Sequence, residues 1–168
     1  MRLVNGTMKL DEAILKNIFL EKLDNIYCIK KHLLKIIPQL ALKASFEDLK
    51  KAMVVNVDLM KVQVLRMDVI YNILKAKHNP GNCTFVKTLS LDLSNTLLLN
   101  NGQYVQSDLA LLIHLQIIES IEIAYFEVLK NISAAISNPE IETMLKQNFE
   151  TSINGKKLYE LIANEYLI

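Results

Sequence analysis

The stretch Leu109–Leu129, LALLIHLQIIESIEIAYFEVL, constrains the fold more than any other part of the chain. Leu111, Leu112, Leu115, Ile118, Ile121, Tyr125, Phe126 and Leu129 recur at the three- and four-residue steps of a helix packed on more than one side. Two carboxylates, Glu119 and Glu122, interrupt it. Glu122 continues an apolar series (Leu111, Leu115, Ile118, Glu122, Tyr125, Leu129), so the pattern carries a carboxylate into the core. A buried carboxylate has to be paired, protonated or bound to metal, because burying it alone is costly. What faces Glu122 is therefore the central functional question.

The same stretch is long enough to cross a membrane, but His114, Gln116, Glu119 and Glu122 break it up. No uncharged run reaches the ~18–20 residues of a spanning helix, so a buried bundle helix is the reading and no membrane is expected. The 19 basic residues nearly balance the 18 acidic ones, which argues against nucleic-acid binding through a positive field. With 51% hydrophobic and 22% charged residues, a single folded domain is expected over 11–168, after a flexible lead at 1–10. The opening MRLVNGTMKLDE carries no apolar signal segment. Cys28 and Cys83 lack CxxC spacing, so they are expected as separate reduced thiols in a cytoplasmic protein.

Helical periodicity runs along most of the chain. A first helix is predicted from about Asp11 to Leu42, with a kink or stop near Ile37 because of Pro38. On its apolar stripe, Lys30 stands where an apolar residue belongs. Ser45 and Asp48 resemble a capping box that opens a second helix reaching about Lys77, with Asn56 and Gln63 as polar entries on its stripe. Asn56 and Gln63 are either buried amides or edge residues. His78-Asn79-Pro80-Gly81-Asn82 breaks the pattern, and Phe85 to about Asn100 reads as a shorter helix. The central helix runs from a Ser107/Asp108 cap to about Ile136. Asn138-Pro139-Glu140 then starts a last helix that reaches about Tyr166. Two helices, a long crossover and two more helices give an all-α, ferritin-like four-helix bundle whose crossover carries a short extra helix.

Two segments carry a family likeness. Ile18–Pro38, IFLEKLDNIYCIKKHLLKIIP, resembles the first helix of the YciE/YciF-like ferritin-like domain family, and Ile118–Tyr125, IESIEIAY, is similar to that family's Val-Glu-His-Tyr-Glu-Ile-Ala-Ala-Tyr stretch. The likeness covers about Asp11 to Ala163. It implies a ferritin-like bundle associated with stress responses, of poorly defined activity, with residues suited to a di-iron site. Set against that pattern, the family's first-helix Glu aligns with Lys30, and its second-helix Glu and His or Gln align with Leu59 and Gln63. Glu119 and Glu122 are kept, Ser120 replaces a His, and the last-helix acidic cluster aligns with Glu150, Thr151 and residues through Gly155.

A di-iron site needs about four carboxylates and two histidines. The mid-bundle polar cluster Lys30, Gln63, Glu119, Glu122 and Ser152 supplies neither, and Lys30 would repel a divalent cation. Lys30 either pairs with Glu122 or Glu119 in place of metal, or snorkels its ammonium to the surface. No metal, cofactor or catalytic residue is favoured. The favoured function is a non-enzymatic, stress-associated bundle whose high apolar content and near-zero charge suggest a homodimer. One alternative is an iron- or manganese-binding oxidase with an incomplete ligand set of Glu119, Glu122 and Glu150. A second is a binder of a small apolar molecule, with Tyr27, Leu59, Met60 and Ile118 around the vacated site. His32, His78 and His114 show no ligand spacing and are read as surface or edge residues.

Overall fold

The computed structural model describes residues 11–83 and 104–167. Four long helices make an all-α bundle: α1 (Glu12–Lys43), α2 (Glu47–Ile73), α3 (Tyr104–Ile136) and α4 (Pro139–Leu167). A 3-10 turn, Pro80–Asn82, follows α2. The flexible lead expected at 1–10 and the crossover helix expected near 85–100 lie outside the described residues.

Packing fixes the directions. Ile37 and Leu40 near the end of α1 share a core layer with Leu49 and Met53 near the start of α2 and with Leu111 and Leu112 near the start of α3. At the opposite end Phe19 and Leu23 of α1 pack with Met67 and Ile70 of α2 and Phe126 and Leu129 of α3. So α3 runs parallel to α2: the chain leaves α2 at one end of the bundle and enters α3 at the other. That is the one-crossover topology. The two apolar layers are separate clusters. Between them lies a polar layer to which every helix contributes.

The helix ends differ from the sequence reading in three places. The capping box at Ser45 and Asp48 does not form, and the N-cap position is Phe46, with no side-chain cap of its own. Instead the Asp108 carboxylate reaches across from α3 and accepts hydrogen bonds from Ser45 N and Phe46 N, both at 2.6 Å. Asp108 thus caps α2, not its own helix, which begins earlier at Tyr104. A buried anion on a helix N-terminus satisfies orphan amides and the helix dipole together. α2 ends at Ile73, short of Lys77, because Lys75 turns left-handed (φ 51°). Pro38 does not stop α1, which continues to Lys43. The Asn138 start signal forms as read, with Asn138 Oδ1 accepting from Glu140 N and Ile141 N at 3.1 Å.

Cys28 and Cys83 correct a further expectation. They are not separate thiols but are joined by a disulfide between α1 and the segment after the 3-10 turn.

Candidate functional site

Helical spacing turns five polar entries, one or more per helix, toward a common axis. Lys30 of α1, Gln63 of α2, Glu119 and Glu122 of α3 and Ser152 of α4 are all buried, the most exposed of them at 4%. The Lys30 ammonium is ion-paired with Glu122 Oε2. Ser152 Oγ donates to the same oxygen at 3.1 Å. Gln63 Nε2 donates to Ser152 Oγ at 3.2 Å and to Asn148 O at 3.0 Å. Asn148 Nδ2 returns a bond to Gln63 O at 3.2 Å, which locks α2 to α4.

Glu119 belongs to a second branch. Asn56 Nδ2 donates to Glu119 Oε1 at 3.1 Å and to the Tyr159 hydroxyl at 2.7 Å. Asn56, Tyr159 and Asn148 are buried members of the network. Asn56 resolves to the buried side of the two sequence readings. Tyr159 and Asn148 were hidden, one as an ordinary core aromatic and one in a polar run of α4. Gly155 gives Glu119 its room: a Cβ there would lie 2.8 Å from Glu119 Oε1. Gly155→Ala is expected to push the Glu119 carboxylate off Asn56 and to cost about 1–3 kcal/mol in a denaturant titration. Unchanged stability would show that this carboxylate is free to move.

Among the described residues, three buried oxygens have no hydrogen-bond donor: Gln63 Oε1, Glu119 Oε2 and Glu122 Oε1. The last two belong to neighbouring carboxyl groups, and Glu119 acts on Glu122 through its charge and through hydrogen bonding. Glu122 is pushed up to about 8, first by burial and also by the Glu119 carboxyl, while Lys30 pulls it the other way. Burial also raises the Tyr159 hydroxyl, with the Glu119 charge adding to it.

Other candidates lie elsewhere. Glu150 is exposed on α4 and is not part of the cluster. Leu59 is 41% exposed, so Asn56, Met60 and Gln63, not Leu59, form the inner face of α2. The residues proposed to line a vacated site do not share one space. Met60 and Ile118 belong to one apolar layer, and Tyr27 packs on the other side of the polar layer beside Tyr71 and His78. The cluster contains no histidine.

With this geometry fixed, the chain can be set beside known proteins. The model of a family described as a domain of unknown function, DUF892, matches residues 14–167. The chain belongs to the DUF892 family. Among solved structures, the E. coli stress protein YciF matches this DUF892 chain with a TM-score of 0.84 at 20% identity, over 95% of this chain and 98% of that one. YcfI, a putative structural protein from Rhodopseudomonas palustris, matches with a TM-score of 0.81 at 18% identity, over 94% and 98%. No curated protein sequence matches significantly. At these identities the structures share a fold with the DUF892 chain. They do not carry residue roles over to it.

Proposed function

We propose that this DUF892 protein is a non-enzymatic, stress-associated structural bundle in which the Lys30–Glu122 pair stands where a ferritin-like protein would hold metal. One observation carries the reading: a lysine ammonium, 1% exposed, is paired with a carboxylate at the centre of the bundle. The donor set does not fit two iron ions. It offers two carboxylates, three amides, two hydroxyls and an ammonium, whereas such a centre draws about four carboxylates and two histidines from the four helices. Glu150, the third carboxylate of the alternative ligand set, is on the surface. A cation already fills the place where metal charge would sit. The stress and structural descriptions of the two neighbouring structures are in keeping with this reading.

The test is metal content. With the disulfide intact, protein given iron(II) or manganese(II) without oxygen is expected to retain no stoichiometric metal by mass spectrometry. Retention of about two metals per chain would favour the oxidase reading instead.

We also propose that α3 supports self-association. Ile113 (57% exposed), Ile117 (46%) and Val128 (44%) fall with Ala124 on one outward stripe. By length and composition 107–136 could cross a membrane, and only 39% of its most apolar window is buried in the chain. Its inner face, however, carries Glu119 and Glu122 into the polar network. The neighbouring surfaces expose Lys16, Glu21, Lys146 and Lys157, a poor fit to lipid. A second copy is the occupant we favour, because a net charge of +1 offers little self-repulsion. Sedimentation equilibrium is expected to find a dimer that Ile117→Glu weakens by roughly 2 kcal/mol or more, about 30-fold in Kd. A chain that stays monomeric at every concentration would remove this part of the reading.

A further inference from the structure

Beyond the mid-bundle network, a second cluster sits where the 3-10 turn meets α1. His78 Nε2 lies 3.1 Å from Cys28 Sγ and 3.7 Å from Cys83 Sγ. The three ligand-type atoms all fall within 4.8 Å of one another. A disulfide needs no imidazole on its sulfurs, so the placement of His78 calls for its own account. Two thiolates and a neutral imidazole converging on one point are a ligand set for zinc.

The surroundings hold this arrangement in place. Asp24, 2% exposed, accepts from the Tyr71 hydroxyl at 2.6 Å, from Asn82 Nδ2 at 2.8 Å and from Asn79 N at 3.1 Å. It pins both flanks of the turn that bears His78 and Cys83 against α1. Tyr27 packs on the His78 ring at 4.7 Å between centroids, and Tyr71 stands against Tyr27 at 5.6 Å. A carboxylate and two aromatic rings therefore fix the position of the imidazole before any ion arrives. Such supporting contacts are what metal sites require of their outer shell.

A cavity of about 450 Å³ opens beside the cluster, lined by Tyr27, Lys31, His32 and Lys35 as well as the three ligand groups. His32 follows Cys28 by four residues on α1, which places both on the same face of the helix. It lies outside the group of three close ligand atoms and would have to turn its ring toward them to close a tetrahedral set.

We propose that the reduced form of this protein binds one zinc ion through the Cys28 and Cys83 thiolates and His78 Nε2, with His32 at the fourth position. Binding displaces two thiol protons, so Zn²⁺ enters and two H⁺ leave. The two thiolates neutralise the ion, which the cationic Lys31 and Lys35 would otherwise oppose. The disulfide is the oxidised, metal-free counterpart. Reaching the dithiol takes two electrons from a thiol or phosphine reductant; with a phosphine, water supplies the oxygen of the phosphine oxide and the two thiol hydrogens.

The experiment uses the full chain reduced with a phosphine under argon, which is then titrated with cobalt(II) and back-titrated with zinc(II). One equivalent of cobalt is expected to give tetrahedral d–d bands and thiolate-to-cobalt charge-transfer absorption, both erased by zinc. Cys28→Ser and Cys83→Ser should each reduce the charge-transfer band, and His78→Ala should change the d–d envelope. Asp24→Asn, which leaves every ligand in place, should weaken zinc by ~10–100-fold. Circular dichroism of each variant separates lost binding from lost folding. A reduced wild-type chain that stays colourless with cobalt would overturn the proposal and leave the cystine as a plain cross-link. So would a band that survives Cys83→Ser and His78→Ala in folded protein.

Discussion

Replacing Lys30 by methionine is expected to lower the unfolding free energy at pH 7 by roughly 3–5 kcal/mol, the cost of removing one member of a buried ion pair. For a chain of this size that is a fall of roughly 6–20 °C in Tm. The size follows from what the substitution leaves behind. Glu122 is 0% and Glu119 4% exposed, so the charge this pair keeps at pH 7 would have no counter-charge and escapes the penalty only by taking up one proton more than the wild type holds. Protonating a carboxyl of ordinary pKa near 4.3 at pH 7 costs about 3.7 kcal/mol. This second route to the number caps the loss and makes it pH-dependent. At pH 5 the same substitution should cost only about 1 kcal/mol. Urea titrations of wild type and Lys30→Met at the two pH values measure both figures. An equal loss at the two would mean that packing, not charge, dominates.

The double variant Lys30→Met, Glu122→Leu, made with Glu119→Gln so that no carboxylate is stranded, is the informative companion. It replaces the pair with apolar groups of similar size and leaves Gln63 bonded to Ser152 and Asn148. Such replacements are often neutral or stabilising, so most of the single-variant loss should return. Both outcomes bear on function. A pair that stabilises the protein little over an apolar substitute is present for what it specifies, here the register of four helices around one polar layer. If the double variant stayed as unstable as the single one, the layer would owe its stability to the ion pair itself.

The elements that repeat along the chain were legible, because periodicity is a local property. The four long helices, the Asn138 start and the long crossover all follow from spacing and from turn residues. The polar cluster was legible for the same reason: Lys30, Gln63, Glu122 and Ser152 interrupt apolar stripes, and each stripe can have only one inner side. Features that depend on the rotation or meeting of separate elements were not. Leu59 and Asn56 are three residues apart, less than one helical turn, and only tertiary packing decided which of them faces inward. The cap on α2 comes from Asp108, 63 residues beyond Ser45, and no local motif announces it. The Cys28–Cys83 contact spans 55 residues and depends on how the turn after α2 folds back on α1. Cys28 and His32 do share a helix face in the sequence. That signal was present but had no meaning until the turn brought His78 and Cys83 beside it.

The wild-type protein should lose stability as pH rises from about 5 to 8. The Glu122 carboxyl is raised from the ordinary 4.5 to about 8 in the folded chain. Between those values the folded state holds a proton that the unfolded chain releases, so protons favour folding. The contribution is fully present below the unfolded pKa and is lost as pH climbs through the folded one. The step is that of Glu122, which burial raises first and the neighbouring Glu119 carboxyl raises further. A proton on Glu122, donated to the neighbouring Glu119 carboxyl, would satisfy a carboxyl oxygen that otherwise has no donor. It would also leave the buried layer neutral, with one ammonium against one carboxylate. The loss should amount to a few kcal/mol in all, on the order of 1.4 per pH unit at its steepest. Glu119→Gln tests the cause. An amide can donate permanently where the Glu122 proton donates only below pH 8, so this variant should show a flatter profile and exceed wild type at pH 8. A wild-type profile already flat from pH 5 to 8 would mean that Glu122 is ionised throughout and donates no proton to Glu119.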